Sequence, residues 1–463
     1  MDEVGPALRR AAEIVAAYRA GLPDARVTPI TGRADVRAAL GALPDGPTPL
    51  DDVIGELVET ATPGLMASSG PRYFGFVVGG SLDAALVADV ITSGWEQNAF
   101  NEALSPAGIA FEDVAGTWLK EILGLPETAS VGFATGCQGA NTVGLAAGRW
   151  HVLNEVGWDV GRDGLHGAPK IRVVVGEERH GTIDRAVRLL GLGESSIVAV
   201  QALPNGAMDT AALARVLRDG DGPTIVCAQA GNVNTGACDD LARVVEATRR
   251  VGAWVHVDGA FGLWAAASPR TRSLVAGIEL ADSWACDGHK WLNVPYDSGY
   301  AFCAHPEVHA TAMAYTAAYL TGQVAGRELG GGDFVLESSR RARGFATWAA
   351  LRSLGRSGVA ELVERFCDLA RQLAAALSEV EGIDIVNDVV LNQVLVRVGD
   401  GDLTDRLERA IQADGTCWMG ATTWRGERLL RIAVSNWSTT QADVDLVAET
   451  VARLRAALVA GSP

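Results

Sequence analysis

The 463-residue chain is 48% hydrophobic and 21% charged, enough for about three average domain lengths and a large core; this excludes a disordered, collagen-like or disulfide-stapled polypeptide. Its 56 acidic residues exceed its 39 basic ones, for a formal net charge of −17, a balance that repels nucleic acid and anionic membrane surfaces. The chain has no run of 18 apolar residues, and its start, MDEVGPALRR, carries early acids and no apolar stretch of secretory type.

The cysteines (Cys137, Cys227, Cys238, Cys286, Cys303, Cys367 and Cys417) are scattered and include no CxxC pair. Neither a disulfide framework nor a metal site is expected, and a reducing cytoplasm suits them. In chain order, Leu8, Ala11, Ala12, Val15 and Tyr18 recur at helical spacing, between Asp2 as a cap and Gly21-Leu22-Pro23 as a stop. A Pro- and Gly-rich stretch over 29–49 precedes a second helix over 50–60. Residues 1–84 therefore read as an arm without its own core.

From residue 85 the pattern changes. Apolar, β-branched runs predict strands over 130–133, 171–176, 196–200, 224–229, 254–257, 283–286 and 299–303. Helices are expected over 140–156, 182–190, 210–218 and 241–250. Near-continuous apolar strands alternating with helices predict an α/β domain over 85–355, with a mostly parallel sheet covered on both faces. A long helix over 357–377 then leads to short strands over 383–386, 393–398, 416–423 and 429–434 and a last helix over 442–458. These make a small C-terminal α+β domain, 356–463.

Five segments carry candidate chemistry. Trp254-Val-His-Val-Asp258 is an apolar strand ending in an acid, placed where α/β sheets gather ligands; alone, such an acid equally caps a helix. The segment Asp282–Lys290 is a second strand running into polar residues. Lys290 is one of only three lysines, with Lys120 and Lys170, so any chemistry needing a primary amine has three candidates. Its setting between His289 and Trp291-Leu292 predicts a lowered pKa and a nucleophile for carbonyls. Thr135-Gly136-Cys137-Gln138-Gly139 joins a strand to a helix, an anion cradle if its amides face a phosphate and a plain tight turn otherwise. It matches neither GxGxxG nor the Walker pattern. A further strand delivers His180, and Gln229-Ala-Gly-Asn232 is a polar turn after another. In this order, a phosphate loop, a flat ring, a strand-end acid and a downstream lysine are what pyridoxal 5′-phosphate requires.

The sequence resembles the group II pyridoxal-phosphate decarboxylases, the family of aromatic-amino-acid, histidine, tyrosine and glutamate decarboxylases. The likeness runs from about residue 25 to the end. It rests on His256-Val-Asp258-Gly-Ala260-Phe-Gly262, Asp287-Gly-His289-Lys290-Trp291 and Gly70-Pro-Arg-Tyr-Phe74-Gly-Phe76. Ser105-Pro-Ala107 with Glu112, and Arg340-Arg-Ala-Arg343 with Trp348 and Gly355, add to it. The resemblance implies a fold-type I, aspartate-aminotransferase-like enzyme that decarboxylates an L-amino acid. It implies that Lys290 holds the cofactor covalently, Asp258 pairs with the pyridine nitrogen and His180 stacks on the ring near the substrate carboxylate. It places Gly136, Cys137 and Gln138 on the phosphate loop, Ala260 on the ring face, Asp287 and His289 on the phosphate side and Asn232 near O3′. Tyr319 matches the loop tyrosine that protonates the substrate carbon. Phe76, Asn98, Phe100 and Arg431 fall near the substrate pocket, where two phenylalanines favour an aromatic or apolar side chain. The family's homodimer is implied as well, with Phe76, Phe100 and Tyr319 expected to act across its interface.

Three departures stand out: Gly136-Cys137-Gln138 where Ser, Gly and Ala are commoner, Val77-Val78-Gly79-Gly80 in place of a proline, and Gly70-Pro71 without the usual histidine. A carbon–carbon lyase or aldehyde synthase on the same scaffold is the alternative reading. A nicotinamide oxidoreductase is disfavoured by the missing GxGxxG, and a non-catalytic binding protein by the retention of Lys290, Asp258 and His180.

Overall fold

The computed structural model describes residues 4–315 and 329–461, and Tyr319 lies outside them. The chain divides into two compact units. The larger, Gly79–Arg371 with Asn387–Val394, is built on a seven-stranded sheet. Its strands are β1 (Ser130–Ala134), β2 (Arg172–Gly176), β3 (Ile197–Val200), β4 (Thr224–Gln229), β5 (Trp254–Asp258), β6 (Ser283–Asp287) and β7 (Gly299–Cys303), in the order β1-β7-β6-β5-β4-β2-β3. Strands β3, β2, β4, β5 and β6 pair in parallel, and β7 is antiparallel to both β6 and β1.

The strand sequences explain this arrangement. Val173, Val174 and Val175 are all fully buried, so both faces of β2 are covered, as in a sheet flanked by crossover helices. Each buried valine contributes about 1.5–3 kcal/mol of transfer free energy. Between the parallel strands run the helices Gly181–Leu189, Thr210–Arg218 and Leu241–Arg249. Helix Cys137–Asn154 follows β1 directly and packs small side chains, among them Cys137, Ala140 and Val143, against Ala285 and Ala301 of the sheet. Register sets the end of the sheet that matters: Gln229 of β4 pairs with Asp258 of β5, and Asp258 with Ala285 of β6. The carboxylates of Asp258 and Asp287 thus sit at the carboxyl ends of adjacent strands.

The second unit comprises Met1–Val78, Gln372–Val386 and Leu395–Pro463. Its sheet has the order β10-β11-β9-β8, from β8 (Asp384–Ile385), β9 (Gln393–Arg397), β10 (Gly420–Trp424) and β11 (Glu427–Ala433). Strand β10 begins later than the sequence suggests because 416–419 has another partner: Trp418 N–H donates to Arg72 O, and Phe74 N–H to Trp418 O. Helix Gly401–Asp414 has no counterpart among the expected elements. Its buried positions are Thr404, Leu407 and Ile411, two apolar residues at helical spacing in a polar stretch, so its periodic signal is thin. The long C-terminal helical segment starts earlier than expected, spanning Gly344–Ser378 with a break in helical geometry at Gly355 (φ 62°).

Candidate active site

Strand β5 is buried along its whole length, and its alternation places His256 and Asp258 on one face. Asp258 is 5% exposed. Its Oδ1 accepts from the Cys137 thiol at 3.4 Å and from Ala260 N–H at 3.3 Å, and Thr182 Oγ1 lies 3.5 Å from Oδ2. At the end of β6, Asp287 Oδ1 accepts from Cys137 N–H at 2.5 Å, the first residue of helix Cys137–Asn154. Asp287 Oδ2 pairs with Lys290 Nζ at 2.9 Å. Lys290, Asp287, Cys137 and Asp258 therefore form one chain of contacts, assembled from two adjacent strand ends and a helix start. His289 Nε2 stands 3.4 Å from Asp287 Oδ1, and the Tyr296 ring lies over His289 at 4.5 Å between centroids.

The electrostatics correct one expectation. Burial by itself lowers the Lys290 ammonium, as its apolar neighbours suggest. The negative charges of Asp287 and Asp258 and the hydrogen bond that Lys290 donates to Asp287 outweigh burial, and its pKa stands above the ordinary lysine value. Asp287 thus favours the charged form of this amine. Burial, reinforced by Asp258 and Asp287, pushes the Cys137 thiol well up, so it acts as a neutral donor to Asp258. Burial also lowers His289, against the opposing pull of Asp287, and raises Tyr296.

The remaining predicted residues fall into place unevenly. His180 precedes helix Gly181–Leu189 and caps it. Gln138 reaches Thr182 O with Nε2 at 3.3 Å. Ala260 follows β5, its carbonyl accepting from Asp287 N–H. Asn232 is buried, but its amide is engaged in its own turn: Oδ1 accepts from Asn234 and Thr235 N–H, and Nδ2 donates to Glu178 O. Asn98 is similarly committed, its Oδ1 accepting from Phe100 and Arg340 N–H. Phe100 is 5% exposed, 6.3 Å from the Tyr315 ring. Phe76 and Arg431 belong to the smaller unit. Phe76 is 63% exposed and stacked on Trp418, which also stacks on Tyr73. Arg431 lies on β11, where burial lowers its guanidinium.

Several contributors escape the motif reading. Thr182 touches both His180 and Asp258; its position two residues after His180, at a helix start, was the available signal. Asn141 and His256 hydrogen-bond each other behind the site at 2.8 Å, and the alternation of β5 already put His256 on the face of Asp258. The buried ion pair of Arg340 with Glu112, at 2.7 Å, also has Arg340 donating to Ala99 O and Phe133 O. It ties the Asn98–Phe100 segment to β1.

These residues fit pyridoxal phosphate. Lys290 offers a primary amine, Asp258 a buried carboxylate, and helix Cys137–Asn154 an amide-lined positive end. A Cβ on Gly136 would stand 3.0 Å from His289 Cε1 and 3.3 Å from Asp287 Oδ1, so the loop keeps open a cradle that a side chain would fill.

Comparison with known proteins agrees. Residues 36–398 match the model of the pyridoxal-dependent decarboxylase conserved domain, and the chain belongs to that family. It is a pyridoxal-phosphate-dependent enzyme, and its reaction class is amino-acid decarboxylation, that of a carboxy-lyase. The chain is 27% identical to an aromatic-L-amino-acid decarboxylase of Bacillus atrophaeus over 389 residues, 80% of this chain and 78% of that one. It is 23% identical to a phenylacetaldehyde synthase of a Rosa hybrid cultivar, over 84% of this chain and 81% of the other. The solved structure of Oryza sativa TDC with PLP and tryptamine superposes with a TM-score of 0.91, at 23% identity, covering 99% of this chain and 98% of that one.

Proposed function

We propose that this enzyme converts an L-amino acid with an aromatic or apolar side chain to the amine and CO2. The observation that carries the reading is the contact chain Lys290–Asp287–Cys137–Asp258, which links a primary amine and a buried carboxylate through one helix start. When bound, the cofactor supplies the electron sink that lets the bond between Cα and the carboxylate break. Lys290 holds it covalently. Asp258, steadied by the Cys137 thiol and Ala260 N–H, would keep a proton on its ring nitrogen. Gly136, Cys137 and Gln138 would hold its phosphate at the helix start, with Asp287 and His289 beside them, and Ala260 and Asn232 would contribute to its binding as the family resemblance implies. His180 orients the substrate carboxylate, and Tyr319 returns a proton to Cα, a step of general-acid type worth about 10²–10⁴-fold.

For the substrate, the family resemblance implies Phe76 and Phe100, which favour an aromatic or apolar side chain, and the Asn98 carbonyl is already spent on backbone N–H groups. The similarity to an aromatic-L-amino-acid decarboxylase points the same way. Arg431 is the residue that would meet a substrate carboxylate.

A cytoplasmic homodimer is the proposed state. Among the described residues no helix is long and apolar enough to cross a membrane. Helix Asp83–Trp95 exposes Val87, Val90, Ile91 and Trp95, between 43% and 58% each, an apolar face suited to burial against a second copy. The test is product analysis across a panel of L-amino acids, quantifying amine, aldehyde and CO2 together. Amine equal to CO2, greatest for aromatic substrates, is expected. Aldehyde with ammonia would instead place the enzyme with the aldehyde synthases, and turnover of acidic substrates alone would overturn the pocket assignment.

A further inference from the structure

Behind His180 lies a continuous set of hydrogen bonds that the reaction scheme does not use. Thr182 N–H donates to His180 Nδ1 at 3.3 Å, and Thr182 Oγ1 lies 2.9 Å from the same nitrogen. Asn141, fully buried, donates from Nδ2 to Thr182 Oγ1 at 3.2 Å. Its Oδ1 meets His256 Nε2 at 2.8 Å, His256 Nδ1 meets Ser283 Oγ at 2.8 Å, and Trp254 Nε1 donates to Ser283 Oγ at 2.9 Å.

The donors fix the direction of the set. A backbone N–H can only donate, so Thr182 N–H, 3.3 Å away, favours an unprotonated His180 Nδ1 but holds it weakly by itself. With Asn141 donating to Thr182 Oγ1, the threonine hydroxyl is left to donate as well. Its nearer acceptor is His180 Nδ1 at 2.9 Å, the other being Asp258 Oδ2 at 3.5 Å. Turning the Asn141 amide over would send the hydroxyl to Asn141 instead, yet Thr182 N–H would still point at Nδ1. We infer that Thr182 is a positioning residue, braced by Asn141 and His256, that holds His180 as the neutral tautomer with its proton on Nε2. The ring nitrogen on the far edge from the helix is then a donor, the form needed to hold a substrate carboxylate. Protonating Nδ1 would set an N–H against the Thr182 N–H at the positive end of helix Gly181–Leu189.

The inference rests on the assignment of His180 to the site, but its readout does not depend on turnover. The chain has seven histidines. Nitrogen-15 NMR of histidine-labelled holoenzyme, with His180→Gln used only to assign the signal, reports the tautomer whether or not any amino acid reacts. The expected spectrum shows His180 Nδ1 unprotonated and Nε2 protonated. Thr182→Val, which removes the hydroxyl and keeps the N–H, should admit the other tautomer or the cation and lower kcat about 3–10-fold, the size of one lost hydrogen bond. Thr182→Ser should restore both. A protonated Nδ1 in the wild-type enzyme, or a Thr182→Val enzyme with unchanged signal and kcat, would overturn the inference. If Thr182→Val does not fold, the wild-type spectrum decides alone.

Discussion

Gly79 rests on the backbone of Lys290: a Cβ built on it would press into the Lys290 carbonyl oxygen and stand 3.0 Å from that of His289. The next residue continues the contact, Gly80 N–H donating to Asn293 Oδ1 at 2.7 Å, and Asn293 N–H bonds back to Lys290 O. The departure from a proline in Val77-Val78-Gly79-Gly80 thus has a structural consequence, because this segment supports the turn that aims Lys290. Gly79→Ala must move backbone rather than a flexible side chain, and should cost about 1–3 kcal/mol, as overpacking does. Urea unfolding read by far-UV circular dichroism, beside visible absorbance of the bound cofactor, should show both midpoints lowered. An unchanged cofactor midpoint would remove Gly79 from the support of Lys290.

Lys290 should be the single lysine that borohydride fixes to the cofactor. Of the other two, Lys120 donates to Glu127 O and Ala129 O at 2.6 and 2.9 Å, and Lys170 is exposed before β2. Peptide mapping after reduction should find the adduct on the Lys290 peptide. Lys290→Ala should give no adduct and lose at least about 10³-fold in turnover, in keeping with removal of a covalent participant. An adduct on Lys120 or Lys170 in the wild-type protein would contradict the assignment.

Asp258→Asn keeps the shape of the side chain and removes its charge. The thiol of Cys137 already donates to Oδ1, so the substituted amide has one good orientation, with its oxygen toward Cys137. Turnover should fall about 10²–10³-fold, the cost typical of losing one preorganised electrostatic partner. Cys137→Ser, which preserves a donor, should retain most of the activity, and Cys137→Val should lower it further. Steady-state kinetics on a substrate found by product analysis will show whether the loss lies in kcat. A loss confined to KM would mean that Asp258 binds substrate.

Much of this was legible because it is local. Strands β4 and β7 lie where their apolar runs put them, since a strand buried on both faces leaves an unbroken apolar signal, and Asp258 and Asp287 end their strands as the sequence shows. What was not legible is what depends on a distant partner. The elevated pKa of Lys290 is the exception: its main carboxylate, Asp287, lies only three residues upstream, and what the sequence hid was the turn that brings the two to 2.9 Å. Cys137 looks like an anomaly in a phosphate loop until its thiol is seen to reach Asp258, 121 residues away in sequence. Asn98 reads as a polar pocket residue, yet its carbonyl serves Arg340 N–H across 242 positions.

Part of the acid sensitivity should be traceable to a histidine remote from the chemistry. His309 is fully buried; its Nε2 donates to Phe334 O at 3.0 Å, leaving Nδ1 to accept from Ser130 Oγ at 2.9 Å. The Ser130 hydroxyl is shared between His309 Nδ1 and Cys303 O, 3.2 Å away, and burial favours the neutral ring, pushing its pKa down to about 4. In the unfolded chain the same group titrates near 6.5. Between those values the unfolded state binds one proton more than the folded state, so stability is full above about pH 6.5 and is lost as pH falls toward 4. The shift is worth up to about 3 kcal/mol. His256, also lowered by burial to about 4, adds a slope of the same sign. His309→Gln keeps an amide donor for Phe334 O and an acceptor for Ser130 but cannot titrate. Urea midpoints measured from pH 4.5 to 7.5 should rise less steeply with pH in this variant than in the wild type, while the part due to His256 remains. Equal slopes would mean that His309 is already protonated, or exposed, in the folded enzyme.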